Sequence, residues 1–205
     1  MNSYVVVGLT GPTGAGKSTV AGFFTDCGCD VIDCDSLGHS ILKKGSITLQ
    51  QLAYTFGTDV LDSTGNVNRT LLAQRAFSSR ESTQRLNEIC HPPICYKCLQ
   101  MINDLRTSKE NAVIILDAAV LLESNMDILC DTVICVTAPK AVRVQRIVNR
   151  DGITAKQAGS RISAQQDNDF YIERSDYCID GNSGINNIKE SVKIIYTQIA
   201  DNFFC

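Results

Sequence analysis

The chain predicts an α/β fold with a mostly parallel sheet of five strands, and three observations carry that prediction. Short apolar runs rich in β-branched residues alternate with longer helix-forming stretches, as in strands joined by helical crossovers. The first of these runs leads directly into a glycine-rich loop and then a helix-forming segment. The alternation contains no internal repeat and no Gly/Ser tract, and only four prolines occur in 205 residues, which argues against a long disordered segment.

Tyr4 to Thr10 (YVVVGLT) is valine-rich and reads as a buried strand, followed after the glycine loop by the helical stretch STVAGFFTDC. Val31 to Asp33 reads as a second short strand. From Ser36 to about Thr107 the pattern is mostly helical, broken by the polar turn DSTGNVNR around Gly65. Within it, a helix is expected to begin after Pro92 or Pro93, because proline is tolerated in a first turn. Ala112 to Leu116 is the third strand, ending at Asp117, and Asp131 to Val136 is the fourth. Pro139 to Asn149 and Thr154 to Gln165 read as helices rich in Arg and Gln. Tyr177 to Ile179 is a fifth strand and Ile185 to Ile199 a closing helix. The stretch between the second and third strands is too long for a bare crossover and is expected to protrude as a lobe.

The charge balance is nearly even, 22 Asp and Glu against 19 Lys and Arg. That gives no general attraction to nucleic acid or an anionic membrane, so neither is expected as a partner. No apolar run approaches the roughly 20 residues that span a bilayer. The start MNSYVVVGLTGPTG lacks a charged n-region and reads as a mature cytoplasmic start rather than a signal peptide. Ten cysteines are present. Several sit inside apolar runs, where a free thiol behaves as a small hydrophobe, so reduced thiols are expected. Cys90, His91, Cys95 and Cys98 form the only grouping that resembles a zinc ligand set, and no second CxxC follows at knuckle spacing.

The strong signal is Gly11-Pro12-Thr13-Gly14-Ala15-Gly16-Lys17-Ser18, which fits GxxxxGK[ST] between a predicted strand and a predicted helix. Such a loop turns its backbone N–H groups toward phosphates at a helix N-terminus. Lys17 reaches the β- and γ-phosphates, and the Ser18 hydroxyl offers a magnesium ligand beside Thr19. ATP or GTP is implied. A guanine-reading NKxD is absent, and Asp62-Ser63-Thr64-Gly65 matches DxxG only within a polar surface turn. A small phosphotransferase therefore fits best, with a non-catalytic nucleotide switch as the reading from another class. Asp33 and Asp35 are expected at the end of the second strand, where side chains two apart point the same way toward an acceptor hydroxyl or magnesium. Asp117 closes the third strand like a Walker B carboxylate. Arg143, Arg146 and Arg150 share one helix and Arg161 lies in the next, an arginine concentration suited to phosphate and to a closing lid.

Taken together, LTGPTGAGKST, VIDCD ending at Asp35, the HP step at His91-Pro92, VLLES around Glu123, QRIVNRDGIT, RISAQ at Arg161 to Gln165 and SDYCIDGN near Asp180 resemble the dephospho-CoA kinase family over nearly the whole chain. The resemblance implies a P-loop nucleoside-monophosphate-kinase-like fold. Its core would be 1–35, 108–138 and 175–205, its helical acceptor lobe 36–107 and its lid 139–174. It implies ATP and magnesium as cofactors, dephospho-CoA as acceptor and no obligate protein partner. It also implies transfer of the ATP γ-phosphate to the ribose 3′-hydroxyl, the last step of coenzyme A synthesis; another small-molecule or nucleotide kinase is the alternative. By motif, Asp35, Lys17 and Arg146 take the catalytic positions. Thr13, Gly14, Ala15, Gly16, Lys17, Ser18 and Thr19, with Arg146 and Arg150, hold nucleotide. Asp33, Asp35, His91, Leu121, Glu123 and Arg161 fall on the acceptor side, and Ser18, Asp33 and Asp117 near the metal. Two departures stand out: Ala119 replaces a proline common in the family's PLLFE segment, and Gly181 precedes Asn182 where the family's late strand often ends IDN.

Overall fold

The computed structural model describes residues 4–204, except for the side chain of His39. The N-terminal start and Cys205 lie outside the described residues. The chain divides into two compact units, Met1–Asp33 with Met101–Cys205, and Cys34–Gln100.

The first unit is built on five parallel strands in the order β2-β3-β1-β4-β5. They are β1 (Tyr4–Thr10), β2 (Asp30–Asp33), β3 (Ala112–Asp117), β4 (Thr132–Thr137) and β5 (Tyr177–Asp180). The three central strands are almost wholly buried, as expected where helices cover both faces of a parallel sheet. On one face, Val5, Val7, Leu9, Val113, Ile115, Ile134 and Val136 form a core. Against it pack Val20 and Phe24 of α1 (Lys17–Asp26) and Ile188, Val192, Ile195 and Ile199 of α9 (Ile185–Phe204). Because every strand runs the same way, all carboxyl ends lie along one edge, where ligands bind in such sheets. In register, Asp33 pairs with Asp117 and Leu9 with Asp117, which sets both carboxylates beside the loop that follows β1.

Two helices after β4, α6 (Lys140–Asp151) and α7 (Ala155–Ser163), pack through Ile147, Ala158 and Ile162. Thr154 closes a capping box with Gln157 at the start of α7. A short helix, α8 (Asn168–Ile172), precedes β5 and was not evident in the sequence.

The second unit holds α2 (Cys34–Ser40), α3 (Ile47–Phe56), α4 (Arg69–Ala76) and most of α5 (Arg80–Ser108). Ser46 caps α3 and Asn68 caps α4 through side-chain oxygens. Leu52, Ala53, Phe56, Val60, Leu72 and Ala76 form its core. The polar segment at Gly65 is an exposed turn tied by Asp62 Oδ1, which accepts from the N–H groups of Thr64 and Asn66.

The structure corrects two local expectations. The helix does not begin at the prolines: α5 is already formed from Arg80 and runs through Pro92 and Pro93. Each interior proline costs a helix about 3 kcal/mol, yet Leu86, Ile89 and Cys90 before them pack on the unit's core and Cys98 after them is buried. Tertiary burial therefore fixes the helix on both sides of the prolines. The second strand also stops at Asp33, and Asp35 lies in the first turn of α2. The alternation argument for a shared direction of Asp33 and Asp35 thus does not apply.

Candidate active site

The loop after β1 is the centre of the site. Gly16 takes the N-cap position of α1 at φ 114°, a conformation that only glycine adopts without strain. The Ala15 N–H donates to Pro12 O at 3.1 Å and the Thr19 N–H to Gly16 O at 3.0 Å, so the curl is held from within. Ser18 and Thr19 are exposed in the first turn of α1. The Lys17 ammonium is ion-paired with the Asp117 carboxylate at the end of β3, both side chains being mostly buried. The predicted phosphate-binding lysine and the predicted Walker B carboxylate therefore meet directly, 100 residues apart in sequence.

Helix α6 braces this loop from outside. Arg146 donates to three backbone carbonyls: Nη1 to Gly14 O at 3.1 Å and Ala15 O at 2.8 Å, and Nη2 to Gly181 O at 2.7 Å. Arg143 donates from Nε to Thr13 O at 2.9 Å, while the Thr13 N–H donates to Gln165 Oε1 at 2.9 Å. Three loop residues, Thr13, Gly14 and Ala15, are thus tied to α6 and to Gln165 just beyond α7, and Arg146 ties Gly181 in the turn after β5 to the same helix. Sequence reading assigned no role to Gln165 or Gly181. The RISAQ motif contained the first without indicating its partner. Gly181 was noted as a departure, and its reason is contact: a Cβ there would stand 2.0 Å from Ala15 O. Only a glycine lets the β5–α9 turn lie against the loop.

The other arginines are placed differently. Arg150 reaches forward in the last turn of α6 to Asp151, with Nε at 2.7 Å, and Arg161 of α7 donates to the same carboxylate at 2.5 Å. Hydrogen bonds from Arg150, then Arg161, hold the Asp151 carboxyl below its usual range. Arg143, read in the sequence as one of a phosphate-facing set, is only 3% exposed, and burial lowers its pKa.

Leu121, expected to touch the acceptor, is fully buried and packs over Gly8; it supports the segment from beneath and offers no surface to a ligand. Glu123 is exposed, and its carboxylate accepts the Tyr171 hydroxyl at 2.6 Å. Burial, then this contact, raises the Tyr171 pKa. Asp33 is exposed at the sheet edge. In the second unit, Asp35 is exposed in α2 and His91 is half-buried in α5, where desolvation lowers its pKa. Cys34, between the two aspartates in sequence, is buried with its Sγ 3.6 Å from Cys98 Sγ. The nine described cysteines are unbridged.

Among the described residues no group of three or more His, Cys, Asp or Glu side chains could hold a metal, and no helix is long and apolar enough to cross a membrane. A single carboxylate and a hydroxyl beside a phosphate loop suit magnesium, which keeps several waters and takes substrate phosphates as ligands rather than an all-protein cage.

Comparison with known proteins matches residues 5–187 to the family model described as CoaE: Dephospho-CoA kinase. A dephospho-CoA kinase of Corynebacterium diphtheriae is 40% identical over 185 residues, covering 90% of this chain and 92% of that one. One from Fusobacterium nucleatum is 33% identical over 191 residues, covering 93% and 96%. Among solved structures, that of TT1252 from Thermus thermophilus shares the fold with a TM-score of 0.80 at 22% identity, covering 96% of this chain and 98% of that one.

Proposed function

The chain belongs to the dephospho-CoA kinase family, and from that premise we propose that it transfers the ATP γ-phosphate to the ribose 3′-hydroxyl of dephospho-CoA, giving CoA and ADP. The observation that carries the phosphoryl-transfer half is the glycine loop with Lys17 drawn onto Asp117 at the strand ends. In the nucleotide complex Lys17 exchanges that carboxylate for the β- and γ-phosphate oxygens, and the loop N–H groups from Gly14 to Thr19 cradle the phosphates. Asp117 and the Ser18 hydroxyl would then hold magnesium, and Asp33 would act through its water shell. Magnesium, when bound, would neutralise charge developing on the phosphates.

Asp35 is the carboxylate assigned to the acceptor. As the hydroxyl oxygen bonds to the γ-phosphorus, the bond from that phosphorus to the β–γ bridging oxygen breaks, ADP departs and the hydroxyl proton passes to Asp35. The placement of Arg146 on the loop carbonyls supports a role for its guanidinium beside the transferred phosphate, where fixed charged donors contribute most. Segment 36–107 is proposed as the acceptor lobe, with His91 and Glu123 as acceptor-side groups, and 139–174 as the lid carrying Arg150 and Arg161. Arg150 and Arg161 reach phosphate only by giving up Asp151.

The test compares Asp35→Asn with Asp33→Asn. Asp35→Asn should lower kcat by roughly 10²–10⁴-fold with ATP affinity kept, and Asp33→Asn should cost less. A collapsed kcat in Asp33→Asn beside a near-normal one in Asp35→Asn reverses the assignment.

A further inference from the structure

A cavity of about 390 Å³ opens beside the nucleotide loop, lined by Lys140 and Arg143 of α6, by Ile162, Ser163, Gln165 and Gln166 around the end of α7, and by Asp167 to Asp169. Four features of its lining point to a ligand. The Arg143 side chain is 97% buried, and its Nη2 has no hydrogen-bond partner. Its one hydrogen bond is from Nε to a neutral carbonyl, Thr13 O, and no carboxylate pairs with it among the described residues. An arginine cannot shed its proton to escape this, and a buried cation without a counter-charge is costly. The α6 N-terminus opens at the same place: Pro139 gives its first turn no side-chain cap, and Lys140 lines the cavity. Helix N-termini of this kind attract anions.

The fourth feature has the opposite polarity. Asn168 spends its amide N–H on Ala138 O at 3.2 Å, leaving Oδ1 buried with no donor to accept from. The cavity therefore lacks both an anionic acceptor for Arg143 and a donor for Asn168. Asp167 and Asp169 are exposed, and Asp167 already accepts the Phe170 N–H at 3.0 Å; as carboxylates they bar a fully ionised polyanion.

We propose that this cavity is a second anion site, separate from the nucleotide loop, that takes a hydrogen phosphate ion. Its oxygens bind Arg143 Nη2 and the first turn of α6, and its remaining O–H donates to Asn168 Oδ1. Sulfate has the same size but no O–H at neutral pH, so it satisfies the cation and repels the acceptor. The site does not rest on the identity of the phosphoryl acceptor.

The experiment fills the glycine loop first, with saturating magnesium and a non-hydrolysable ATP analogue, and then titrates inorganic phosphate by calorimetry at neutral pH. One further phosphate should bind, with sulfate weaker by about tenfold, as expected for one hydroxyl donor exchanged for an unpaired acceptor. Arg143→Met should weaken phosphate by about tenfold or more, in line with losing a charged donor. Asn168→Leu should abolish the preference for phosphate over sulfate, and it keeps the test open if the arginine variant fails to fold. Absence of phosphate binding once the loop is filled, equal binding of sulfate by the parent, or binding indifferent to Arg143→Met each overturn the proposal.

Discussion

Gly181→Ala is a one-methyl change at a residue that carries no side-chain chemistry, and the structure predicts that it disables the nucleotide loop. The new Cβ would lie 2.0 Å from Ala15 O, 3.1 Å from Ala15 C and 3.2 Å from Thr137 O. A close carbon–oxygen contact is about 3.3 Å, so the backbones must part by about 1.3 Å. Neither side yields easily. The Gly181 N–H donates to Thr137 O at 2.8 Å, its carbonyl accepts Arg146 Nη2 at 2.7 Å, and Ala15 O accepts Arg146 Nη1 at 2.8 Å. Overpacking of this kind costs about 1–3 kcal/mol, and each kcal/mol lowers Tm by about 2–4 °C in a chain of this size. A displacement of about 1 Å in a positioning element can cost about 10²-fold in rate. The assay is ADP release coupled to NADH oxidation, with ATP and dephospho-CoA varied in turn, alongside thermal melts. Gly159→Ala is the control: its added methyl meets nothing within 4 Å in helix α7, and it should gain about 0.5–1 kcal/mol. Gly181→Ala with parental ATP kinetics and parental Tm would refute the argument that the turn and the loop are packed as one.

Arg146→Ala removes three charge-assisted bonds at once and should lower both Tm and kcat, the latter by about 10²-fold; a lowered Tm with unchanged kcat would make the residue a brace alone. Asp117→Asn strips the mostly buried Lys17 of its carboxylate partner and should raise the magnesium concentration needed for half-maximal rate by about tenfold, read from a metal titration at fixed ATP. His91 should make stability depend on pH in a definite direction. Burial lowers its pKa in the folded state, so the folded chain binds fewer protons than the unfolded one. Stability is then full above the ordinary histidine value of about 6.5 and is lost as pH falls through the lowered one. His91→Gln should flatten that fall in denaturant titrations; an equally steep fall would place its cause elsewhere.

The parts of the molecule visible in the sequence are those governed by short-range rules. The glycine loop is a contiguous motif whose conformation its own residues dictate, and the five strands announce themselves as apolar β-branched runs, with ends within one or two residues of those observed. What escaped is set by partners distant in the chain. Nothing local tells that Leu86 and Ile89 are packed firmly enough to carry a helix into Pro92 and Pro93. Nor does local sequence tell that β2 ends one residue before Cys34, putting Asp35 on a helix. The arginines show the limit most clearly. Their spacing was legible, but Arg143 is buried beside Thr13, Arg146 grips loop carbonyls and Arg150 turns to Asp151. Four-residue spacing fixes a face of a helix and not what each side chain meets.

The central claim is the acceptor, and the most direct measurement is the product. The purified chain is incubated with ATP, magnesium and dephospho-CoA, and the mixture is followed by ³¹P NMR and mass spectrometry. The account predicts equimolar ADP and CoA, with a new phosphomonoester on the ribose 3′-oxygen that forms about 10²-fold or more slowly when Asp35 is replaced by Asn. ATP consumed to inorganic phosphate with dephospho-CoA left intact, or a phosphate placed on any other oxygen, would contradict it.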